Sequence, residues 1–429
     1  MVHHDGVRFS RLGIPLVFLL VQACGSGSES GSNAVGSSGS NPSGATTGTA
    51  GSSSGQGGSG TTTGPTTGGT TTGSGGSSGA GGSTGEGPTI DVTPGDPITA
   101  PPMTWTAVPV AGAVCRDGRP TGFGINVATG SDKLLIFLEG GGACFNATTC
   151  AQAPSSWAPT DANLGTRVRV NALLDRSGTG PFKDWNLVYV PYCTGDVFTG
   201  TTMSGYMGQP QMGYSNFFKY LQRIIATFKG LSQVVLSGSS AGGFGIAWNW
   251  MLTQDAFGTV PVLALDDSGP PMSPDYLSPC QEQRVAKLWG WADAIHPACT
   301  GCDAANGKVV RPLLQASLAR AAGKRFALLS YDEDGVIKTF FAYGLNNCAN
   351  WDSLLPPAYP AGKYPQGLAE LRQVWAGVPD AAMYVVKGGG HTFLGSDLSR
   401  IQASTTSASM LDWVKQFVDK GSGWSNVTP

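Results

Sequence analysis

The chain has 429 residues, a formal net charge of −2 and only 13% charged residues. A near-neutral chain without a basic stripe offers nucleic acid no electrostatic footprint, so that class of partner is excluded. Its 64 glycines crowd toward the N-terminus and divide the chain before any motif is read.

Residues 1–23 read as a signal peptide. Arg8 and Arg11 precede an apolar run, Leu12–Val21, which is too short to span a bilayer. The run ends Val21-Gln22-Ala23-Cys24, which resembles a bacterial lipobox with Cys24 as the lipidated residue. Residues 24–100 read as a disordered tether. As far as Pro88 they are almost all Gly, Ser and Thr, with too little apolar surface to offset chain entropy. Val92–Pro102 is the transition out of it. The expected location is the bacterial cell envelope, through a lipid anchor at Cys24, or the secreted fraction; the membrane is reached through Cys24 alone.

Residues 101–429 form the folded domain, long enough for one large core. Strand-length apolar runs recur at Leu134–Leu138, Leu187–Val190, Val234–Leu236, Val262–Leu265, Phe326–Leu329 and Met383–Val386. Segments of helical period lie between them. Phe217, Tyr220, Leu221, Ile224 and Ile225 share one helical face, and Leu313–Ala322 and Met410–Val418 read similarly. This alternation predicts an α/β fold, a mostly parallel sheet covered by helices on both faces. The stretches Ala147–Lys183 and Ser268–Lys308 read as insertions around the rim of a site. Eight cysteines follow Cys24, at 115, 144, 150, 193, 280, 299, 302 and 348. An even number in an exported chain reads as disulfides. Cys299-Thr-Gly-Cys302 would suit zinc, but no second close pair completes a site.

One turn carries the chemistry. Val234-Val235-Leu236-Ser237-Gly238-Ser239-Ser240-Ala241-Gly242 is an apolar strand entering a G-x-S-x-G turn, with a helix-compatible stretch, Phe244–Met251, beyond it. That order presents a nucleophilic serine in an α/β-hydrolase. The same spelling at Gly51–Gly55, Gly75–Gly79 and Gly81–Gly85 follows no apolar run and is discarded.

A serine hydroxyl needs a base. Outside the signal segment only His296 and His391 are present. His391 follows the strand Met383–Val386 through a run of three glycines, where this fold places its base; His296 reads as a partly exposed surface residue. The acid should leave a strand between serine and histidine. Both Asp332 and Asp334 do so, after Phe326–Leu329. Asp266 and Asp267, after Val262–Leu265, are weaker rivals that read as structural or rim carboxylates. Oxyanion donors are expected from the glycine run at the end of Leu134–Leu138 and from the backbone N–H of Ala241.

Several segments together resemble the pectin acetylesterase and Notum family. Leu138-Glu139-Gly140-Gly141-Gly142-Ala143-Cys144-Phe145-Asn146, closed by Cys150, is similar to its L-E-G-G-x-x-C-[FY]-N signature. Val190-Pro191-Tyr192-Cys193-Thr194-Gly195-Asp196 resembles its P-Y-C-x-x-D segment. Gly238–Gly243 resembles its nucleophile turn, and Asp267-Ser268-Gly269 its D-[SA]-G. The resemblance implies an α/β-hydrolase fold and a Ser-Asp-His triad without a cofactor. Ser240 would be the nucleophile and His391 the base, with Gly141, Gly142 and Ala241 as oxyanion donors and Cys144–Cys150 as a disulfide. Gly142 stands where members often carry Trp, which widens the mouth. The family's [YF]-D-x-x-Q matches Tyr331-Asp332 without a gap, although the Gln is missing. A shift of two residues aligns Asp334, which is preferred for its longer exit from the strand.

The expected function is therefore that of an exported serine carboxylesterase acting on acyl esters, acetyl first, of pectin or another polysaccharide. Trp157, Tyr206, Tyr214, Trp289 and Trp291 would either stack on sugars or serve as packing. Two alternatives stand beside it: a non-catalytic glycan- or envelope-binding protein on a hydrolase scaffold, and an esterase for longer acyl chains.

Overall fold

The structure is a computed structural model that describes residues 87–429. The signal segment, Cys24 and the tether up to residue 86 lie outside the described residues. Eight strands form one sheet: β1 (Thr106–Val114), β2 (Pro120–Asn126), β3 (Lys133–Leu138), β4 (Asn186–Val190), β5 (Gln233–Ser239), β6 (Val262–Asp267), β7 (Phe326–Tyr331) and β8 (Ala381–Val386). Their order is β1-β2-β4-β3-β5-β6-β7-β8. From β4 to β8 every pairing is parallel; β1–β2 and β2–β4 are antiparallel. The helices are α1 (Ala147–Gln152), α2 (Asp161–Val168), α3 (Gly213–Thr227), α4 (Ala241–Phe257), α5 (Pro279–Trp289), α6 (Val310–Ala319), α7 (Gly335–Ala342), α8 (Leu345–Cys348), α9 (Lys363–Trp375) and α10 (Met410–Val418).

The parallel strands are continuous apolar runs because both faces of the sheet are covered. Alternate residues divide between two cores. Leu134, Ile136 and Leu138 of β3 pack with α3, α4 and α9, whereas Leu135 and Phe137 face α2 and α10. All six expected strands are present. Strands β1 and β2 went unread: Gly and Pro interrupt their alternation, and they form the antiparallel end of the sheet, where such residues are tolerated. Residues 90–98, assigned to the end of the tether, are held on the domain. Ile90 N–H donates to Asp255 Oδ2 at 2.7 Å, Ile98 N–H donates to Thr227 Oγ1 at 2.8 Å, and Val92 is buried. The packed unit therefore begins before Pro101.

All eight cysteines pair: Cys115–Cys193, Cys144–Cys150, Cys280–Cys348 and Cys299–Cys302. The thiols of the zinc reading are thus consumed by each other. No group of three or more His, Cys, Asp or Glu side chains suited to a metal occurs among the described residues.

His296 departs from its surface assignment. It is 1% exposed, and its Nε2 meets Asp255 Oδ2 at 2.7 Å. Its Nδ1 accepts the Ala298 N–H, so Nε2 carries the proton. Arg320 donates to the other oxygen of Asp255 at 2.5 Å. Asp255 has its pKa lowered: its hydrogen bonds from His296, Ile90 and Arg320 outweigh burial, the largest single cause, which acts the other way. The cluster ties the N-terminal segment, α4, α6 and the Ser268–Lys308 insertion together. His296→Ala should therefore cost about 2 kcal/mol of stability, the worth of one hydrogen bond to a buried charge. Thermal melting checks this, and ester turnover of the folded variant should match the parent.

Candidate active site

Strand β5 delivers Ser240 to the carboxyl edge of the sheet, where ligands of open α/β folds bind. Ser240 is held at φ +57° and ψ −115°, the strained conformation of a nucleophile turn. The turn closes tightly: a Cβ on Gly242 would lie 2.1 Å from the Leu138 carbonyl oxygen. Helix α4 starts at Ala241, directly beyond the serine. Its first N–H groups have no intrahelical partner and suit a developing oxyanion.

His391 reaches this serine from the loop after β8. Its Nε2 lies 2.8 Å from Ser240 Oγ, and its Nδ1 lies 2.8 Å from Asp334 Oδ2. Asp334 is fully buried and His391 is 13% exposed at the side chain, so only the serine end of the relay opens to substrate. The stacked rings of Tyr331 and Phe393, 4.4 Å apart, flank the loop. A Cβ on Gly390 would strike the Tyr331 ring at 2.7 Å, which explains a glycine beside the base.

Two roles are open to the aspartates after β7, orienting the imidazole and capping the next helix. Asp334 does both. Its Oδ1 accepts the Val336 and Ile337 N–H groups at the start of α7, each at 3.0 Å, and its Oδ2 faces His391. Asp332 neither touches His391 nor caps α7. Its Oδ1 accepts the Gly388 N–H at 2.7 Å, bracing the glycine run that leads to the histidine.

Asp267 is not a rim carboxylate. It is 0% exposed and accepts from Ser239 Oγ at 2.8 Å and from the Phe393 and Leu394 N–H groups. Its backbone carbonyl takes the Ser240 N–H at 2.7 Å. One residue thus clamps the serine turn to the histidine loop. Burial raises its pKa, and these hydrogen bonds oppose the rise. Asp266 is also buried; it accepts the Gly269 N–H, and burial pushes its pKa well up.

The loop after β3 lies against the serine: a Cβ on Gly140 would sit 3.2 Å from Ser240 Cβ. Gly141 and Gly142 have φ of +155° and +78°, values that favour glycine. Sequence reading missed what holds this loop. The buried Tyr192 hydroxyl donates to the Gly142 carbonyl and accepts the Val197 N–H, both at 2.9 Å, while Glu139 Oε2 accepts the Tyr192 N–H. Tyr192 lay in a recognised motif, but nothing there marked it as a support. Cys144–Cys150 closes the same loop.

Beside Ser240 opens an apolar cavity, bounded by Gly142, by Phe244 and Trp248 of α4, by Glu282 of α5 and by Phe340 of α7. Its free space, counted to the open mouth, is about 840 Å³, of which the centre of a water molecule can occupy about 100 Å³. Trp289 and Trp291 line it and are buried, as Trp157 and Tyr214 are buried elsewhere. Those four therefore serve packing rather than sugar stacking on an open surface. Burial pushes the Glu282 carboxyl up to about 7, against two backbone hydrogen bonds that lower it.

Residues 99–283 match the family described as Pectinacetylesterase. Palmitoleoyl-protein carboxylesterase NOTUM of Homo sapiens is 30% identical over 176 residues, 36% of this chain and 34% of that protein. The inactive palmitoleoyl-protein carboxylesterase notum1b of Danio rerio is 36% identical over 98 residues, 20% of this chain and 66% of that one. The chain spans about a third of the length of the first curated relatives it matches. Among solved structures, the Wnt deacylase Notum from Drosophila superimposes with a TM-score of 0.53 at 19% identity, covering 74% of this chain and 93% of that chain; this likeness concerns the fold. The family match over residues 99–283, the related sequences and the α/β-hydrolase-like fold agree in supporting the pectinacetylesterase and Notum family.

Proposed function

We propose that the chain is an exported serine carboxylesterase that forms its acyl-enzyme on Ser240. The observation that carries this reading is the continuous relay Ser240–His391–Asp334, with both contacts at 2.8 Å. Ser240 attacks the ester carbonyl as His391 Nε2 takes its proton. Asp334 holds Nδ1–H and stabilises the imidazolium. Backbone N–H groups of Ala241, Gly141 and Gly142 receive the oxyanion. His391 then protonates the leaving alcohol, and water releases the acyl group by the reverse route. The four disulfides support an oxidising compartment, and anchoring through Cys24 belongs to the same proposal.

The alcohol side is proposed to be an acylated polysaccharide. On the acyl side, the cavity favours a group larger than acetyl. At a water's share of about 30 Å³ of liquid volume, the available space holds about three such groups, where an acetyl methyl would fill one. The non-catalytic alternative has a precedent in a relative described as inactive. The intact relay weighs against it here.

A series of 4-nitrophenyl esters from acetyl to palmitoyl tests the reading. kcat/KM should rise from acetyl to a maximum at a medium chain, by roughly 10-fold or more at about 0.8 kcal/mol per buried methylene, and fall again by palmitoyl. A maximum at acetyl would return the acyl group to acetate. No turnover along the whole series would favour the binding protein.

A further inference from the structure

Among the described residues, six large apolar side chains are exposed: Met103, Val170, Met203, Met207, Leu354 and Leu355. Single exposed apolar residues are ordinary; where these stand is not. Met203 and Met207 lie on the 200–211 loop, which starts beside Thr199 of the cavity wall. Its Gln211 Nε2 donates to the Cys144 carbonyl at 2.9 Å and its Tyr206 packs on Cys144 and Cys150, so it lies against the loop of Gly141 and Gly142. Leu354 and Leu355 follow Trp351, whose ring centre is 4.5 Å from that of Phe145, another residue of the cavity wall. The Val170 carbonyl oxygen is 3.5 Å from where a Cβ on Gly395 would stand, in the loop that carries His391. Five of the six thus border the site at the carboxyl edge of the sheet. Met103 alone is elsewhere. Its N–H donates to the Val127 carbonyl, just past β2, which runs antiparallel to β4 and ends at the opposite edge.

The loops around the mouth are also free of charge. Residues 140–160, 197–218 and 353–362 contain no Asp, Glu, Lys or Arg. Moving them out of water desolvates no ion. Met207 is 83% exposed at φ +53°, a conformation that asparagine fills more readily, so the turn itself does not call for methionine.

We propose that this rim docks on a lipid surface, dipping its apolar side chains among the acyl chains and opening the cavity toward them. The inference rests on the esterase reading above and names where its substrate is met: the acylated polysaccharide is one displayed at a lipid surface. A protein partner would need one continuous patch of about 800 Å², whereas these side chains stand on three separate loops. None of the six is an aromatic ring on which a soluble glycan could stack. A fluid apolar surface meets all three loops at once and needs no directional partner. The chain before residue 87 permits this orientation. It enters the domain at Ile90, held by Asp255, about 20 Å from Ser240 along α4. A Gly/Ser/Thr-rich coil of residues 25–86 would span about 45 Å, so an anchor at Cys24 leaves the mouth free to face the same surface.

Flotation with phosphatidylcholine vesicles tests this on the chain from Gly25 onward, which keeps every described residue and lacks both the apolar run and Cys24. The protein should bind these neutral vesicles. A rise from about 0.1 to about 0.5 M salt should change the affinity less than about 2-fold, since no charge pair is screened. Met207→Asn combined with Leu354→Ser should weaken binding about 10-fold or more, the effect of withdrawing at least one side chain from an apolar medium. Met103→Ser, at the opposite edge, should leave binding unchanged. Turnover of 4-nitrophenyl butyrate in solution should be the same in all these proteins, while turnover of a 4-nitrophenyl ester embedded in the vesicles should fall with binding. No binding, binding that needs anionic lipid and disappears in salt, or equal binding by the rim variant would overturn the proposal. So would a dimer in the absence of lipid that the rim variant dissolves, because a second copy would then cover the rim. Soluble turnover without vesicle binding would sink this inference and spare the esterase; rim-dependent binding without any turnover would do the opposite.

Discussion

Ester turnover by the Ser240→Ala protein is expected to fall by at least about 10³-fold, with the melting temperature unchanged. Ser240 Oγ forms the one covalent bond between protein and substrate in the proposed chemistry, and its hydroxyl makes no contact that supports the fold beyond His391. Alanine should also tolerate the turn no worse than serine, since both carry a Cβ at φ +57°. His391→Ala should lose a similar factor, and the double variant should be little worse than either single one, because the two act as a unit. A residual rate above that of water would come from the oxyanion donors and binding alone. Single-turnover and steady-state rates on the best 4-nitrophenyl ester measure this. Comparable turnover in the Ser240→Ala protein would remove Ser240 as the nucleophile.

The residues proposed as nucleophile and base were legible because each has a local signature. A strand-turn-helix with small flanking residues is needed wherever a serine must sit at positive φ. A histidine after a late glycine run was one of only two candidates outside the signal segment. The parallel strands were legible for a similar reason: burial on both faces writes an unbroken apolar run. What stayed illegible is what depends on pairings distant in sequence. His296 looks like a surface residue until Asp255, 41 positions earlier, is folded against it. Asp267 and Phe393 are 126 residues apart, so no window of sequence reveals that one holds the other. Strands β1 and β2, at the antiparallel end of the sheet, failed differently: their glycines and prolines removed the periodicity that reading depends on.

For the acid the sequence leaves two residues open, and Asp334 is the one that lies against His391. Asp334→Asn should lower turnover by about 10²-fold or more, the consequence of presenting the imidazole in the wrong tautomer. The fold should survive, because asparagine caps a helix as well as aspartate does. Its carbonyl oxygen would keep the Val336 and Ile337 N–H groups now held by Oδ1, leaving the amide to face His391. An amide N–H there cannot accept the Nδ1 proton, so Nε2 would carry it and lose its capacity to take one from Ser240. Asp332→Asn makes the useful contrast. Its single backbone contact, from Gly388, needs only an acceptor, which the asparagine carbonyl supplies. Turnover should stay within about 3-fold of the parent, well short of the loss of a triad member. Rates for both variants, with melting curves to show each is folded, decide between them. If Asp332→Asn loses activity while Asp334→Asn keeps it, the gap-free alignment at Tyr331-Asp332 is correct. If both stay active, the orienting carboxylate is neither, and Asp267, which already grips the histidine loop from below, is the residue to replace next.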